Sequence, residues 1–322
     1  MQVIITLLVV AVSVVQIPFV YLAREQKQKY LENVPADYHF PVVSDFKGSI
    51  PPMLGFFLLE QLIDKHLYKL FRPLCKIQDD FEEREVRSRK MAINCLKVSY
   101  YLGNSLYFYY VIAAGQDWLP EQLGGTAPSM ERVLARLPYP PYGNQMQNYF
   151  LVITGYHWAS LFGMFFCTKR RDWIEMMLHH TICLFLFSGG YLMNIVEAAG
   201  LVAFLHDASD VFITLAKIFG ETNYEKMNII IFLVNMVTWG YNRIYYLPVC
   251  IYEIHTFSQT VTDWNRFCVF NFTFNLSCLW VLHVYWYSIF IRILYKYFSK
   301  GHREDLVQKT EMQTNPVKAK TV

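Results

Sequence analysis

Apolar positions in this sequence gather into long runs, separated by short clusters of polar and charged residues. A membrane-spanning helix needs about 20 consecutive, mostly apolar residues, and several runs have that length. The first covers 3–22, IITLLVVAVSVVQIPFVYLA. Met1-Gln2 puts no basic side chain ahead of it, which favours a retained anchor over a cleaved signal. The second, 50–71, contains Glu60, Asp64, Lys65 and His66, and so suits the edge of a bundle or the membrane interface. A charged link at 72–90 follows. Six stronger runs lie at about 91–114, 147–167, 174–196, 198–219, 227–251 and 268–295. Between them only 115–146, polar and Pro-rich, is long enough to be a sizeable loop, and 299–322 reads as a flexible polar tail. The pattern predicts an all-α polytopic membrane protein. It has seven to eight spans: one or two N-terminal helices, then a bundle of six. Three regions follow: an anchor region with its link (1–90), a membrane core (91–295) and a tail (296–322).

Composition supports this class. Of 322 residues, 54% are hydrophobic and only 17% charged, against about 25% charged in soluble domains. The net charge of +3 is too small to imply a nucleic-acid partner. The basic residues inform by position. Arg72, Lys76, Arg84, Arg87, Arg89 and Lys90 fill the link, Lys169, Arg170 and Arg171 precede the run at 174, and Lys296, Lys300 and Arg303 begin the tail. All fall on one side if the six helices alternate, and basic loops face the cytosol. Loops 115–146 and 252–267 are then lumenal. Arg24, Lys27 and Lys29 fit poorly if both N-terminal runs span. The last five residues, Lys318-Ala319-Lys320-Thr321-Val322, match a KxKxx retrieval signal, which predicts an endoplasmic reticulum membrane protein with a cytosolic C-terminus.

Seven cysteines stand at 75, 95, 167, 183, 250, 268 and 278, mostly in apolar runs and never as CxxC. They read as small buried hydrophobes rather than a zinc or disulfide framework. Cys250 and Cys268 flank a polar loop and could bridge only if that loop is lumenal.

Ionisable groups are costly inside a bilayer, so they mark function there. Run 174–196 carries His179 and His180, and run 198–219 carries His206, Asp207 and Asp210. His206 and Asp210 are four apart and share a helix face, while Asp207 and Asp210 are three apart. The short join makes the two helices antiparallel neighbours, so both clusters lie at similar depth in the cytosolic half. A carboxylate beside a histidine fixes its tautomer and raises its basicity, for proton removal or nucleophilic attack. A metal centre of three His and two Asp is the competing chemistry. It is disfavoured because only one adjacent His pair is present, so no metal is expected. Asn242 and Arg243 in WGYNRIYYLP, and His283 and Trp286 in LWVLHVYWYSIFIRIL, add polar groups in the last two runs. Arg243 needs a partner, either an ion pair or a substrate. A proton-relaying transporter would also use such groups, but no inverted repeat or broken-helix pair is visible.

The segment LHHTICLFLFSGGYLMNIVEAAGLVAFLHDASDVFITLAKIF resembles the longevity-assurance motif of ceramide synthases, within the TLC domain. TKRRDW before the His pair, NRIYYLP and VLHVYWYSIFIR extend the resemblance over about 90–295, and 50–71 is similar to the span before the TLC core. The 3–22 run is additional, and no homeobox-like insert is present. The resemblance implies a six-helix core around an apolar acyl tunnel. It implies transfer of a fatty acyl group from acyl-CoA, as co-substrate, to the amine of a sphingoid base, with no bound cofactor. It assigns catalysis to His179, His180, His206, Asp207 and Asp210. Substrate contacts go to Lys169, Arg170, Arg171, Asn242, Arg243, His283 and Trp286, with Lys169–Arg171 holding CoA phosphates. It implies a bias on chain length from 252–267, membrane lipids as partners, and homo- or heterodimers. Two routes stay open: direct attack by a deprotonated amine, or an acyl-imidazole on His179 with Asp210 orienting the ring. Relatives that sense lipid or accompany the translocon share the domain, but tend to lack the full His pair and HDxSD set.

Overall fold

The computed structural model describes residues 2–76, 81–141, 143–166, 172–261 and 266–300. Among these residues the chain is helical, and the one β feature is an isolated bridge between Pro120 and Ala127. The helices are α1 (Gln2–Leu31), α2 (Ile50–Lys65), α3 (Phe81–Leu106), α4 (Glu131–Ala135), α5 (Asn144–Phe166), α6 (Trp173–Leu192), α7 (Val196–Gly220), α8 (Glu225–Trp239), α9 (Leu247–Val261) and α10 (Arg266–Lys300). The most extensive packing joins α3 to α7, α7 to α8, α2 to α5 and α5 to α6. Asn144–Phe166, Val196–Gly220 and Arg266–Ser299 are each long and apolar enough to cross a membrane. Large apolar side chains also line the outside of the bundle, among them Ile17, Val20, Tyr110, Phe166 and Val237. In water such a surface would aggregate, whereas in hydrocarbon it is ordinary. This is an all-helical, multi-pass membrane protein.

One end of the bundle is basic. There Arg87 bridges Glu83 at 2.7 Å and the buried Glu221 at 2.9 Å, tying the start of α3 to the end of α7. Arg72 pairs with Glu85, and Arg89 with Asp64 at 3.3 Å. These bonds explain one difference from the expected layout. Residues 81–90, expected within a charged link, are the first turns of α3. The i,i+4 Glu83–Arg87 pair and the acidic first turn favour a helix, and hydropathy does not register either. The segment 50–71 differs too: α2 ends at Lys65 and a 3-10 segment, Leu67–Leu74, takes over.

The run at 227–251 is not one regular helix. A π-helical segment, Gly240–Tyr246, separates α8 from α9. The expected polar loop at 252–267 is mostly helix, since α9 reaches Val261 and α10 starts at Arg266. Cys250 and Cys268 are both buried and unbridged, so the pair does not staple that junction.

The additional N-terminal run forms α1, which docks on α10 and α6. Its inward positions are Val12, Gln16, Phe19, Ala23, Gln26 and Tyr30, alternately four and three apart, which keeps one stripe facing the bundle. Gln16 Nε2 donates to Asn275 Oδ1 at 2.9 Å, and Asn271 Nδ2 donates to the Val15 carbonyl at 3.1 Å. Phe19 sits edge-on to Phe185 and Phe272. At the end opposite the basic one, Tyr139 donates to the Tyr30 carbonyl at 2.6 Å, and Lys27 donates to the Pro41 carbonyl beneath the Phe40 ring. Lys27 is thus held by protein.

Helices α5 and α2 approach closely because Gly155 has no side chain. A Cβ there would stand 2.7 Å from the Ser49 carbonyl oxygen and 2.9 Å from the Met53 nitrogen. Both are backbone atoms, so neither can swing away. Gly155→Ala is expected to cost about 1–3 kcal/mol by overpacking, read as a lowered thermal midpoint in detergent.

Candidate active site

Four helices bring five histidines together at one buried level. His157 comes from α5, His179 and His180 from α6, His206 from α7, and His283 from α10. All are at most 9% exposed. His157 Nδ1 lies 3.2 Å from His180 Nδ1. The His179 ring stacks edge-on against His180, His283 and Trp286, at centroid distances of 5.4, 5.9 and 5.5 Å. His206 Nε2 meets His283 Nε2 at 2.8 Å, and His206 Nδ1 meets the Val202 carbonyl at 2.6 Å. His179 Nε2 is 3.6 Å from Cys183 Sγ, one turn along its own helix, while His179 Nδ1 has no partner among the described residues.

The carboxylates sit beside this cluster with partners of their own. Asp207 accepts from Asn104 Nδ2 on α3. Asp210 Oδ1 pairs with Arg243 Nη2 at 2.7 Å. Arg243 is 2% exposed and also donates to Ser209 Oγ and the His206 carbonyl, each at 2.7 Å, with its guanidinium 3.9 Å above Trp239. A buried guanidinium needs a counter-charge, and this need claims Asp210. Among the described residues no hydrogen bond joins Asp210 to His179. The π-helical segment turns Arg243 towards α7. Such local unwinding often marks functional sites.

The structure therefore brings His179, His180, His206, Asp207, Asp210, Arg243, His283 and Trp286 into one region. Asn242 is half-buried in the π-helical segment. Lys169, Arg170 and Arg171, the junction 262–265 and the tail signal at 318–322 lie outside the described residues. Among those described, no group of three or more His, Cys, Asp or Glu has a geometry that would hold a metal ion. His157 bonds to His180, and His206 to His283 and the Val202 carbonyl.

Several site neighbours escape a reading of the sequence. His157 is a lone histidine in an apolar run, and its spacing gives no signal. Asn104 belongs to a polar face of α3 with Lys97 and Tyr101, at i, i+4 and i+7. That spacing is visible in the sequence, and its importance is not. Tyr100 stacks on Tyr156 at 3.6 Å, and Tyr156 donates to Tyr101 Oη at 3.0 Å. Lys97, half-buried, has no ion-pair partner among the described residues.

Away from the basic end, an apolar cavity opens among α6, α7, α9 and α10, with α4 contributing Leu134. Leu186 and Phe187 line it from α6, Ala199 and Val202 from α7, and Leu276 and Phe272 from α10. Phe187, Ala199 and Leu276 are each seven residues from a histidine: His180, His206 and His283. Seven residues make two turns, about 10 Å along one helix face. Three helices thus place imidazoles two turns from the same apolar cavity.

Residues 90–292, more than half the chain, match the TLC domain. The chain is 25% identical over 234 residues to the ceramide synthase hyl-1 of Caenorhabditis elegans, covering 69% of this chain and 61% of that protein. It is 26% identical over 168 residues to ceramide synthase 4 of Bos taurus, covering 52% and 42% respectively. With ceramide synthase 1 LOH3 of Arabidopsis thaliana it shares 26% over 278 residues, 80% of this chain and 84% of the relative. The chain thus spans less than two thirds of the first two relatives. The domain match runs from within α3 to within α10 and includes every residue of the histidine cluster, so the chain belongs to the TLC-domain family.

Proposed function

We propose that this chain is a ceramide synthase, an enzyme that transfers a fatty acyl group from acyl-CoA to the amine of a sphingoid base. The observation that carries the reading is the stack of imidazoles two turns above an apolar cavity. It suits a substrate with a reactive head and a hydrocarbon tail. In this reading the acyl chain fills the cavity, and the thioester carbonyl stands at the histidines. The chain passes the membrane eight times, as α1, α2, α3, α5, α6, α7, α8–α9 and α10, the last six forming the TLC core. The basic end faces the cytosol, where CoA is supplied, and Lys169–Arg171 hold its phosphates. The membrane is that of the endoplasmic reticulum.

A thioester is an activated acyl donor, so the transfer requires an amine in its basic form and a well-placed nucleophile. His179 Nδ1, buried and without a partner among the described residues, suits the nucleophile. It expels CoA thiolate, the thiolate then takes up the Nε2 proton, and the neutral acyl-imidazole so formed is opened by the amine. Cys183, as the acceptor from an Nε2–H, holds the tautomer that leaves Nδ1 its lone pair. His180 is oriented by His157. Asn104 holds Asp207, and Arg243 holds Asp210 against α7.

Expression in cells lacking ceramide synthase, with a panel of acyl-CoAs, tests the reading by mass spectrometry of ceramide. No ceramide from a well-expressed protein overturns it. Ala199→Phe, which narrows the cavity, is expected to shift the product profile towards shorter acyl chains by about tenfold, the discrimination one or two methylenes yield in an apolar pocket.

A further inference from the structure

The hydrogen bonds of the histidine cluster fix which nitrogen is free to act as a base. The Val202 oxygen can only accept, so His206 presents Nδ1–H to it at 2.6 Å. In the neutral ring, His206 Nε2 is then a bare acceptor. His283 must therefore donate Nε2–H to it across 2.8 Å. That leaves the lone pair of neutral His283 on Nδ1. His283 is fully buried, and this nitrogen has no partner among the described residues. The ring is enclosed by Trp239 at 5.7 Å, Trp286 at 5.8 Å and His179 at 5.9 Å between centroids. An unsatisfied buried acceptor is costly, and its place beside His179 gives it a use.

We propose that His283 is the base of the second half-reaction, taking the proton from the attacking amine and returning it to His179 as that ring leaves. The proposal rests on the acyl-His179 reading. The amine, as its free base, forms a C–N bond to the acyl carbon, and the carbonyl becomes an oxyanion. An N–H proton passes from the new ammonium to His283 Nδ1. The oxyanion reforms the carbonyl, the bond to His179 breaks, and its electron pair stays on the His179 nitrogen. That nitrogen takes the proton from His283. The Nε2 proton of His179 has already passed to the expelled CoA thiolate, so the departing ring ends neutral as its Nδ1–H tautomer. His283 is neutral again, and the sum is thioester plus amine giving amide plus thiol. The His179 proton returns to Nε2 before the next turnover. The positive charge on His283 is transient, which suits a ring whose neighbourhood includes the cationic Arg243 and no directly bonded carboxylate.

His283→Gln separates this role from a structural one. The glutamine amide can still donate to His206 Nε2, but it has no acceptor nitrogen where Nδ1 stood. With acyl-CoA alone, the variant is expected to release one equivalent of CoA and accumulate the acyl adduct as the parent protein does. Adding sphingoid base should then discharge the adduct about 10²–10⁴-fold more slowly. Hydroxylamine, a much weaker base whose ammonium adduct loses its proton to water without help, should strip it from both proteins at similar rates. An unimpaired discharge in His283→Gln overturns the assignment while leaving the acyl-enzyme intact. No adduct in the parent protein overturns both. If the variant does not fold, the parent protein decides: a solvent deuterium isotope effect on discharge, and none on acylation, supports the shuttle, and its absence on discharge overturns it.

Discussion

His179→Ala should form no acyl adduct from acyl-CoA and should lower N-acyl transfer by about 10⁴-fold or more, the scale seen when a covalent nucleophile is removed. The expectation rests on geometry as well as resemblance. The other histidines each have a ring nitrogen engaged by another polar group: His157 and His180 by each other, His206 by Val202 and His283, His283 by His206. Among the described residues, the ring nitrogens of His179 have only the weak contact with Cys183, and Nδ1 has no partner. Intact-mass analysis after incubation with acyl-CoA reads the adduct, and ceramide formation reads turnover. The variant's thermal midpoint separates chemistry from folding, because losing the ring contacts with His180, His283 and Trp286 bears on stability, whereas adduct formation is read on the protein that remains folded. An adduct that persists in His179→Ala would assign the nucleophile elsewhere. Full turnover with no adduct in the parent protein would favour direct attack by the amine on acyl-CoA.

Arg243→Met is expected to be the most destabilising single change in the site, by about 3–5 kcal/mol, because it strands a charge inside the bundle. Arg243 makes three hydrogen bonds of 2.7 Å and covers the Trp239 face. Methionine keeps much of the stem's volume but none of the bonds. Asp210, with 22% of its side chain exposed, then loses its counter-ion. Ser209 Oγ and the His206 carbonyl each lose a donor. The double variant Arg243→Met, Asp210→Asn should regain part of the loss, because the stranded charge is gone while the lost donors are not. Denaturation in detergent gives both numbers. A single-variant cost below about 1 kcal/mol would mean that the ion pair behaves as a solvent-exposed one.

The run lengths and the adjacent His pair made much of the helical plan readable, and the i,i+4 spacing of His206 and Asp210 made one face of α7 readable. Hydropathy misplaced the boundary at 81–90, because it registers transfer into lipid and not the Glu83–Arg87 and Arg87–Glu221 bonds that make those residues helix. It also read 227–251 as one element, since a π-helical segment leaves composition unchanged. Antiparallel neighbouring helices gave Asp210 and His179 a similar depth, and only the family resemblance implied that Asp210 orients His179. The actual bond of Asp210 is to Arg243, contributed by the segment after the next helix.

By itself, the sequence determined that the chain is a helical membrane protein with histidines and carboxylates at matched depth. Those properties follow from local periodicity and from the cost of burying polar groups. Only the tertiary structure decided which imidazole touches which, that His157 and Asn104 join the cluster, and that the helices of three histidines line one apolar cavity two turns away. Spacing along a helix fixes a face, but contact across helices depends on their rotation and register. Those are set by packing at distant positions such as Gly155 and the α1 stripe.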